Sequence, residues 1–308
     1  MSLAYVFPGQ GAQSLQMLND LANVYDEVKT TYDEASAVLG YDLWDIVQNG
    51  PEDKLNRTDI TQPAMLAAGV SVWRILEKAN ATKASVLAGH SLGEYSALVC
   101  AGSLNFSDAI QLVAERGRLM QAAVPEGSGA MAAILGMQDE DVRSACIDAA
   151  DGEVVEAVNF NSPGQVVIAG TKSAVERVTV LAKERGAKMA VLLPVSVPSH
   201  CALMKPAADQ LATTLESIQF STPQIPVINN VAVSIESEPD SIRNALVKQL
   251  YSPVRWVDTI EKMKAMGVDR LVECGPGKVL VGLNKRIDRK MATNALFNAV
   301  AVEEFLKN

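Results

Sequence analysis

A serine between two glycines is the residue of this sequence best suited to nucleophilic chemistry. Gly89-His90-Ser91-Leu92-Gly93 follows the short, mostly apolar run 85–88 and precedes a segment, 94–100, with the character of a helix. A G-x-S-x-G pattern at such a junction is typical of a strained strand-to-helix turn that exposes the serine hydroxyl. This context favours Ser91 as a nucleophile, although the pattern alone also fits an ordinary β–α turn.

A serine hydroxyl becomes a good nucleophile only when a base takes its proton. The chain contains two histidines, which narrows the choice of base. His90 adjoins Ser91, so its side chain should point elsewhere, and we interpret it as structural. His200, in the loop 197–200, is therefore the predicted base. Cys201 should point away from its neighbour in an extended segment, and we interpret it as a packing residue.

An arginine on an apolar helix face is the third unusual feature. The periodicity predicts an amphipathic helix over 107–123 with Ser107 as its N-cap. At about 100° per residue, Arg116 falls near the middle of the apolar face, whereas Arg118 falls on the polar one. An unpaired buried guanidinium is very costly. Arg116 should therefore meet either an internal carboxylate or the carboxylate of a substrate, which a planar guanidinium can bind with two hydrogen bonds.

The elements around these residues indicate an α/β protein. Strand-like runs alternate with helical runs, which predicts a parallel sheet covered on both faces. Between 131 and 193 the order changes to β-α-β-β-α-β, the order of a ferredoxin-like unit. The strand 271–274 then returns to the parallel sheet. We predict a large domain formed by 1–125 and 197–308, with a small α+β subdomain, 126–196, inserted in it.

Composition bounds the class of protein. The 308 residues are 48% hydrophobic, and 36 acidic against 27 basic residues give a net charge of −9, which argues against non-specific binding to nucleic acid or anionic membranes. Four scattered cysteines predict neither a disulfide framework nor a zinc site. Pro8 interrupts the early apolar run, so no signal peptide is expected. The apolar stretch 64–73 is too short for a membrane span. We expect a cytoplasmic protein.

Several motifs together resemble one enzyme family. They lie in family order along nearly the whole chain: Phe7-Pro8-Gly9-Gln10-Gly11, Asp59 to Ala64, Gly89 to Glu94, Arg116, Asn161 to Gln165, Val197 to His200, Gln249 to Pro253 and Gly275 to Lys278. With this set, the sequence resembles the bacterial malonyl-CoA:acyl carrier protein transacylases of type II fatty-acid synthesis. The resemblance also implies that the large domain is similar to the α/β-hydrolases.

The resemblance implies a ping-pong reaction in two half-steps. Ser91, activated by His200, would attack malonyl-CoA and become malonylated, and the phosphopantetheine thiol of holo acyl carrier protein would then take the malonyl group. The backbone N–H groups of Gln10 and Leu92 would form the oxyanion hole. The second of these agrees with the general rule that the residue after the nucleophile is a donor.

The resemblance also implies the remaining roles at the site. Arg116 would bind the malonyl carboxylate, and the main-chain carbonyl of Gln249 would orient His200 without an acidic third member. No metal and no permanently bound cofactor are expected. The expected partners are malonyl-CoA and acyl carrier protein, with no nucleic acid and no membrane, and the chain should be a monomer. Because acyl carrier protein is acidic, a basic cluster could contact it: Lys285, Arg286, Arg289 and Lys290.

Two other functions compete with this interpretation. An α/β-hydrolase (thio)esterase shares G-x-S-x-G, but it needs an acidic residue between serine and histidine, and no candidate stands out between Ser91 and His200. A non-catalytic module that binds carrier protein is the second alternative, although every residue that the chemistry needs is present. Free malonate would favour the hydrolase, and a malonyl adduct on Ser91 would exclude the inert module.

Overall fold

A computed structural model describes residues 2–81, 83–195 and 197–307. The first part of the chain contains β1 (Leu3–Phe7), α1 (Asn19–Ala22), α2 (Asp26–Leu39), α3 (Leu43–Asn49), α4 (Glu52–Leu55), α5 (Thr58–Lys78), β2 (Val86–Gly89), α6 (Gly93–Cys100) and α7 (Phe106–Ala122). The middle part contains β3 (Gly129–Leu135), α8 (Asp139–Ala149), β4 (Val155–Ser162), β5 (Gln165–Thr171), α9 (Lys172–Glu184) and β6 (Met189–Leu192).

The last part begins with a short 3-10 helix, Ala202–Met204, and returns to the larger sheet. It contains α10 (Lys205–Glu216), β7 (Val227–Ile228), α11 (Pro239–Gln249), α12 (Trp256–Ala265), β8 (Arg270–Cys274), α13 (Val279–Ile287), β9 (Ala292–Leu296) and α14 (Ala299–Leu306). No helix in these described ranges is long and apolar enough to cross a membrane.

The larger sheet is parallel and has the strand order β7-β2-β1-β8-β9. Alternate side chains of its strands point to opposite faces, so Tyr5 and Phe7 enter one hydrophobic core, while Ala4 and Val6 enter the other. Phe7 pairs with Gly89 at the carboxyl ends of β1 and β2. The loops that follow these two strands therefore emerge side by side, which is where ligands bind in open parallel sheets.

The smaller sheet is antiparallel and has the order β4-β5-β3-β6, with α8 and α9 packed on one face. Its elements follow one another in the β-α-β-β-α-β order that the sequence predicted. The α/β class with a parallel sheet is thus confirmed, accompanied by a small antiparallel sheet. Strand β4 extends to Ser162 because it continues to pair with β5 as far as Gln165.

The predicted cap of the arginine-bearing helix is wrong by two residues. Helix α7 begins at Phe106, and its N-cap is Asn105, whose side-chain oxygen accepts a hydrogen bond from Ser107 N at 2.9 Å. Asparagine is as good an N-cap as serine, and here it lies in the extended backbone that precedes the helix. The helix also ends one residue early, at Ala122. Its register is unaffected, so Arg116 still faces the protein interior.

Close backbone contacts explain the glycines of the serine turn. A Cβ atom at Gly89 would lie 1.8 Å from the carbonyl carbon of Gly93, and a Cβ atom at Gly93 would lie 2.0 Å from the carbonyl oxygen of Phe7. A Cβ atom at Gly9 would lie 2.4 Å from the carbonyl oxygen of His90. All three obstacles are backbone atoms, so no side-chain rotation can relieve them. The loops after β1 and β2 therefore interlock.

Gly89→Ala should destabilise the fold strongly because the added methyl group meets the backbone atoms of Gly93 and Glu94 across the turn. Overpacking typically costs about 1–3 kcal/mol, and we expect about 3 kcal/mol or more here. The measurement is the free energy of unfolding in urea. Gly282→Ala is the control, since Gly282 is an exposed glycine inside α13 with no atom near its Cβ position. Gly282→Ala should raise the free energy of unfolding by about 0.5–1 kcal/mol. Similar stabilities for the two variants would contradict this account.

Candidate active site

Ser91 and His200 meet although they lie 109 residues apart. The Oγ atom of Ser91 is 2.7 Å from Nε2 of His200. Ser91 follows the end of β2 and precedes α6, and its φ of 52° lies in the left-handed region. This conformation is strained for a serine. Such strain is expected of the serine in a G-x-S-x-G turn. This arrangement can move a proton from the serine hydroxyl to the imidazole.

The second nitrogen of His200 is fixed by a main-chain carbonyl. Nδ1 lies 2.7 Å from the oxygen of Gln249. Because a carbonyl oxygen can only accept, Nδ1 must carry the proton, which leaves the Nε2 lone pair for the Ser91 hydroxyl. His200 is 2% exposed. Burial, assisted by the nearby Arg116 cation, lowers the pKa of His200 to about 3. The imidazole is thus neutral and able to accept a proton at neutral pH.

We expect His200 to remain neutral, with its proton on Nδ1, throughout the pH range in which the fold is stable. Long-range ¹H–¹⁵N spectra of the imidazoles can check this, because the chain has two histidines. The unfolded chain protonates its histidines near pH 6.5, so burying a neutral His200 makes unfolding easier as the pH falls from about 6.5 towards 3. A His200 signal that titrates near pH 6.5 would contradict the described environment.

Two backbone N–H groups beside Ser91 remain available. The N–H of Ser91 itself donates to Oδ1 of Asn230 at 2.7 Å. By contrast, the N–H groups of Leu92 and Gln10 have no acceptor within the described residues. Both residues line the cavity that contains Ser91. Two such donors beside a nucleophile can stabilise a developing oxyanion.

Arg116 lies beside Ser91 and is buried, and its helical position predicted this burial. It is 1% exposed and donates to Oε1 of Gln62 at 2.8 Å and to Oε1 of Gln249 at 3.0 Å. Its Nη2 lies 3.4 Å from Ser91 Oγ, and its Nε has no hydrogen-bond partner among the described residues. Across the described ranges no carboxylate forms an ion pair with it. The internal salt bridge that the sequence left open is therefore not observed, and the cation retains hydrogen-bonding capacity for an anion.

The reactive groups open into a cavity of about 410 Å³. Arg116 and Met120 of α7 form one wall. Another wall comes from the antiparallel sheet and the chain that leaves it, with Met131, Asn159 and the segment 193–195. A volume of this size is within the range of small-molecule sites. No cluster of His, Cys, Asp or Glu in the described parts of the chain could hold a metal ion.

Comparison with known proteins places this geometry in a family. The family model of the acyl transferase domain matches residues 4–295. A malonyl CoA-acyl carrier protein transacylase from Haemophilus influenzae is 61% identical over 307 residues, which cover 98% of each chain. This chain belongs to the malonyl CoA-acyl carrier protein transacylases of the acyl transferase family. It is an acyltransferase.

Solved structures of transacylases have the same fold. An acyl carrier protein S-malonyltransferase from Vibrio cholerae has a TM-score of 0.96 and 60% identity, with 99% of each chain covered. A malonyl-transacylase in complex with a type II PKS acyl carrier protein has a TM-score of 0.99 and 56% identity, with 100% of each chain covered. At such identities the likeness extends from the fold to the family.

Three side chains around the acyltransferase site were assigned no role from the sequence. Gln62 accepts a hydrogen bond from Arg116, and Asn230 accepts one from Ser91 N in the serine turn. Glu94 accepts hydrogen bonds from Asn230 and Gln249. Each is a polar residue in an apolar setting: Gln62 within the buried face of α5, Glu94 in the mostly apolar α6, and Asn230 just after β7. That mismatch was the available signal. It marks burial, but it does not tell which groups meet.

His90 and Cys201, which we interpreted as structural residues, have contacts that fit this interpretation. Nε2 of His90 lies 2.8 Å from Oδ1 of Asn161, and its ring packs near Trp256 with 5.6 Å between centroids. Cys201 is fully buried, and its thiol donates to the oxygen of Pro198 at 3.1 Å. Burial raises the pKa of this thiol to about 12, so Cys201 is a poor nucleophile.

Proposed function

We propose that this acyltransferase moves the malonyl group from malonyl-CoA to the phosphopantetheine thiol of holo acyl carrier protein. The observation that carries the proposal is the buried Arg116 cation, which pairs with no carboxylate of the described residues and lies 3.4 Å from the oxygen of Ser91. An acyl group attached to Ser91 that ends in a carboxylate, as malonyl does, would supply the missing anion. The relatives' names give the same donor and acceptor.

The first half-reaction forms an ester on Ser91. As Ser91 Oγ attacks the thioester carbonyl, its proton moves to Nε2 of His200. The carbonyl oxygen becomes an oxyanion that accepts from the N–H groups of Leu92 and Gln10. When the C–S bond breaks, His200 returns the proton to the sulfur of CoA. The products are malonyl-Ser91 and free CoA, and His200 is neutral again.

The second half-reaction repeats these steps with a different thiol. The phosphopantetheine thiol gives its proton to His200 and attacks the ester carbonyl, and the proton then passes to Ser91 Oγ as the C–O bond breaks. His200 is oriented by the neutral carbonyl of Gln249 rather than by a carboxylate. The ester must persist until the thiol arrives, so a site that activates water poorly suits transfer better than hydrolysis.

The same proposal covers the organisation of the chain. A hydrolase-like catalytic domain, 1–125 and 197–308, carries the nucleophile and base, and the ferredoxin-like subdomain 126–196 forms another wall of the cavity. The enzyme acts as a cytoplasmic monomer. It needs no resident cofactor, because phosphopantetheine is carried by its partner. The support is the separate core of the antiparallel sheet and the contribution of its residues Met131 and Asn159 to the cavity lining.

A transfer assay from malonyl-, methylmalonyl- and acetyl-CoA to purified holo acyl carrier protein tests the function. We expect malonyl to be the preferred group, with an intact-mass adduct on Ser91 when carrier protein is omitted. Rapid release of free malonate without carrier protein would instead indicate a thioesterase. The absence of any adduct would contradict a covalent route.

The carrier protein is proposed to dock on the basic cluster of Lys285, Arg286, Arg289 and Lys290. Lys285 and Arg286 occupy the exposed last turn of α13. Changing Arg286 and Lys290 to Glu should raise the KM for carrier protein severalfold at low salt, because opposite charges steer association most strongly when screening is weak. The KM for malonyl-CoA is the internal control. An unchanged KM for carrier protein would contradict this docking surface.

A further inference from the structure

Glu94 has a buried carboxyl group close to the serine turn. It is 2% exposed and lies in the first turn of α6, three residues after Ser91. One of its oxygens, Oε2, accepts from Nε2 of Gln249 at 2.7 Å and from the backbone N of Asn230 at 2.9 Å. Across residues 2–81, 83–195 and 197–307 no cation forms an ion pair with it. A buried carboxyl group in this setting is costly, so its position needs a reason.

Gln249 connects Glu94 to Arg116 and to His200. The amide oxygen of Gln249 accepts from Arg116 at 3.0 Å, while its main-chain oxygen accepts from His200 at 2.7 Å. Its amide nitrogen donates to Glu94 and, at 3.1 Å, to the oxygen of Ser91. Reversing the amide would turn its NH₂ group towards the guanidinium, where two donors would face each other. The acceptor on Glu94 therefore selects the amide orientation that Arg116 requires.

Asn230 connects Glu94 to the backbone of Ser91 and Gly89. Oδ1 of Asn230 accepts from Ser91 N at 2.7 Å, and Nδ2 donates to the oxygen of Gly89 at 2.7 Å. The amide of Asn230 thus holds the backbone of Gly89 and of Ser91, the residues on either side of His90. Its own backbone N–H is held by Glu94. The left-handed conformation of Ser91 persists only where its surroundings fix it.

We propose that Glu94 is a positioning residue that, through Gln249 and Asn230, holds Arg116, His200 and the Ser91 turn in one arrangement. It touches neither substrate nor the reacting atoms. The inference rests on the proposed function for the role of Arg116, but not for the reactivity of Ser91. A hydrogen-bond acceptor is the property required, since one oxygen serves both N–H groups.

The environment of Glu94 supports an acceptor role over a charge role. Burial raises the pKa of Glu94 to about 7, against the opposing effects of its two N–H donors and of Arg116. Near neutral pH a large fraction of the group is therefore uncharged. A glutamine has the same shape and presents one carbonyl oxygen, which can accept both hydrogen bonds. An aspartate keeps the acid but is one methylene shorter and cannot reach both donors.

The test compares Glu94→Gln, Glu94→Asp and Glu94→Leu in the full-length enzyme. The first readout is the rate at which an uncharged fluorophosphonate modifies Ser91. We expect Glu94→Gln to keep at least a third of the wild-type rate, Glu94→Asp to lose about tenfold and Glu94→Leu about a hundredfold. The second readout is kcat/KM for malonyl and for acetyl transfer. In the Asp and Leu variants the malonyl value should fall at least threefold more, because Arg116 loses its alignment.

Glu273 provides a matched control. It is also fully buried, and its two oxygens accept from the backbone N–H groups of Leu280 and Val281 at 3.0 and 2.8 Å, with no contact to Ser91, His200 or Arg116. Glu273→Leu should lower stability without changing the fluorophosphonate rate per folded molecule by more than threefold. Folded fractions come from urea titrations of every variant.

Two results would overturn the proposal. One is equal loss of Ser91 reactivity, per folded molecule, in Glu94→Leu and Glu273→Leu, which would make Glu94 merely structural. The other is an Asp variant more active than the Gln variant, which would make charge the required property. The Gln and Asp variants preserve the fold best, so their order decides the question even if the Leu variant does not fold. A wild-type enzyme that reacts with fluorophosphonate but does not transfer malonyl would refute the proposed function alone.

Discussion

Ser91→Ala is expected to abolish the malonyl adduct and to lower malonyl transfer by at least roughly 10⁴-fold. Removing a nucleophile from a serine–histidine site leaves only what binding and the oxyanion donors contribute. The Oγ atom of Ser91 is the atom placed 2.7 Å from the His200 base, and the loss of one hydroxyl should disturb the fold little. Intact-mass measurement after incubation with malonyl-CoA detects the adduct, and a radiolabel assay with holo carrier protein measures transfer.

Ser199→Ala is the matched control for this experiment. Ser199 lines the same cavity and adjoins His200, but within the described part of the chain its hydroxyl donates only to the oxygen of Val197, at 3.5 Å. This variant should form the adduct and transfer malonyl within a few-fold of wild type. An adduct that persists in Ser91→Ala would mean that another residue is the nucleophile.

Arg116→Ala is expected to reduce malonyl transfer far more than acetyl transfer. Only the malonyl group carries a carboxylate, and hydrogen bonds to a charged group contribute about 1.5–3 kcal/mol. A differential loss of about 2–3 kcal/mol corresponds to roughly 30- to 150-fold in the ratio of the two kcat/KM values. The measurement is kcat/KM for malonyl-CoA and for acetyl-CoA with the same carrier protein.

Two further variants make the arginine experiment specific. Arg118→Ala removes a guanidinium from the same helix, but this side chain is 59% exposed and pairs with Glu115, so both acyl groups should be unaffected. Arg116→Lys keeps the charge without the planar fork, and it should recover part of the malonyl preference. Equal losses of malonyl and acetyl transfer in Arg116→Ala would exclude the carboxylate role.

The pairing of Ser91 with His200 and the burial of Arg116 could be predicted because each depends on local pattern or on counting. A G-x-S-x-G pattern between a strand and a helix favours a strained turn that exposes the serine, and two histidines leave little choice of base. The position of Arg116 follows from helical periodicity, which survives an error of one or two residues at the cap. The contact of the Gln249 carbonyl with His200 was implied only by the family resemblance.

The buried hydrogen bonds of Glu94, Asn230 and Gln249 could not be predicted in the same way. The two residues that Glu94 contacts, Asn230 and Gln249, lie 136 and 155 positions further along the chain. No periodicity links residues so far apart. Their partners are set by where β7 and α11 end in space. The sequence indicates that such residues are unusual, but the choice of partner is a tertiary property.

The interlocked loops after β1 and β2 also bear on how this enzyme could change its substrate during evolution. Both proposed oxyanion donors, Gln10 and Leu92, lie on these loops, where even a methyl group at Gly9 or Gly93 would collide with backbone. That side of the cavity can therefore accept few mutations. The wall formed by Met131, Asn159 and the segment 193–195 lies outside these loops. New acyl specificities should arise by substitutions in that wall, while the reactive side stays unchanged.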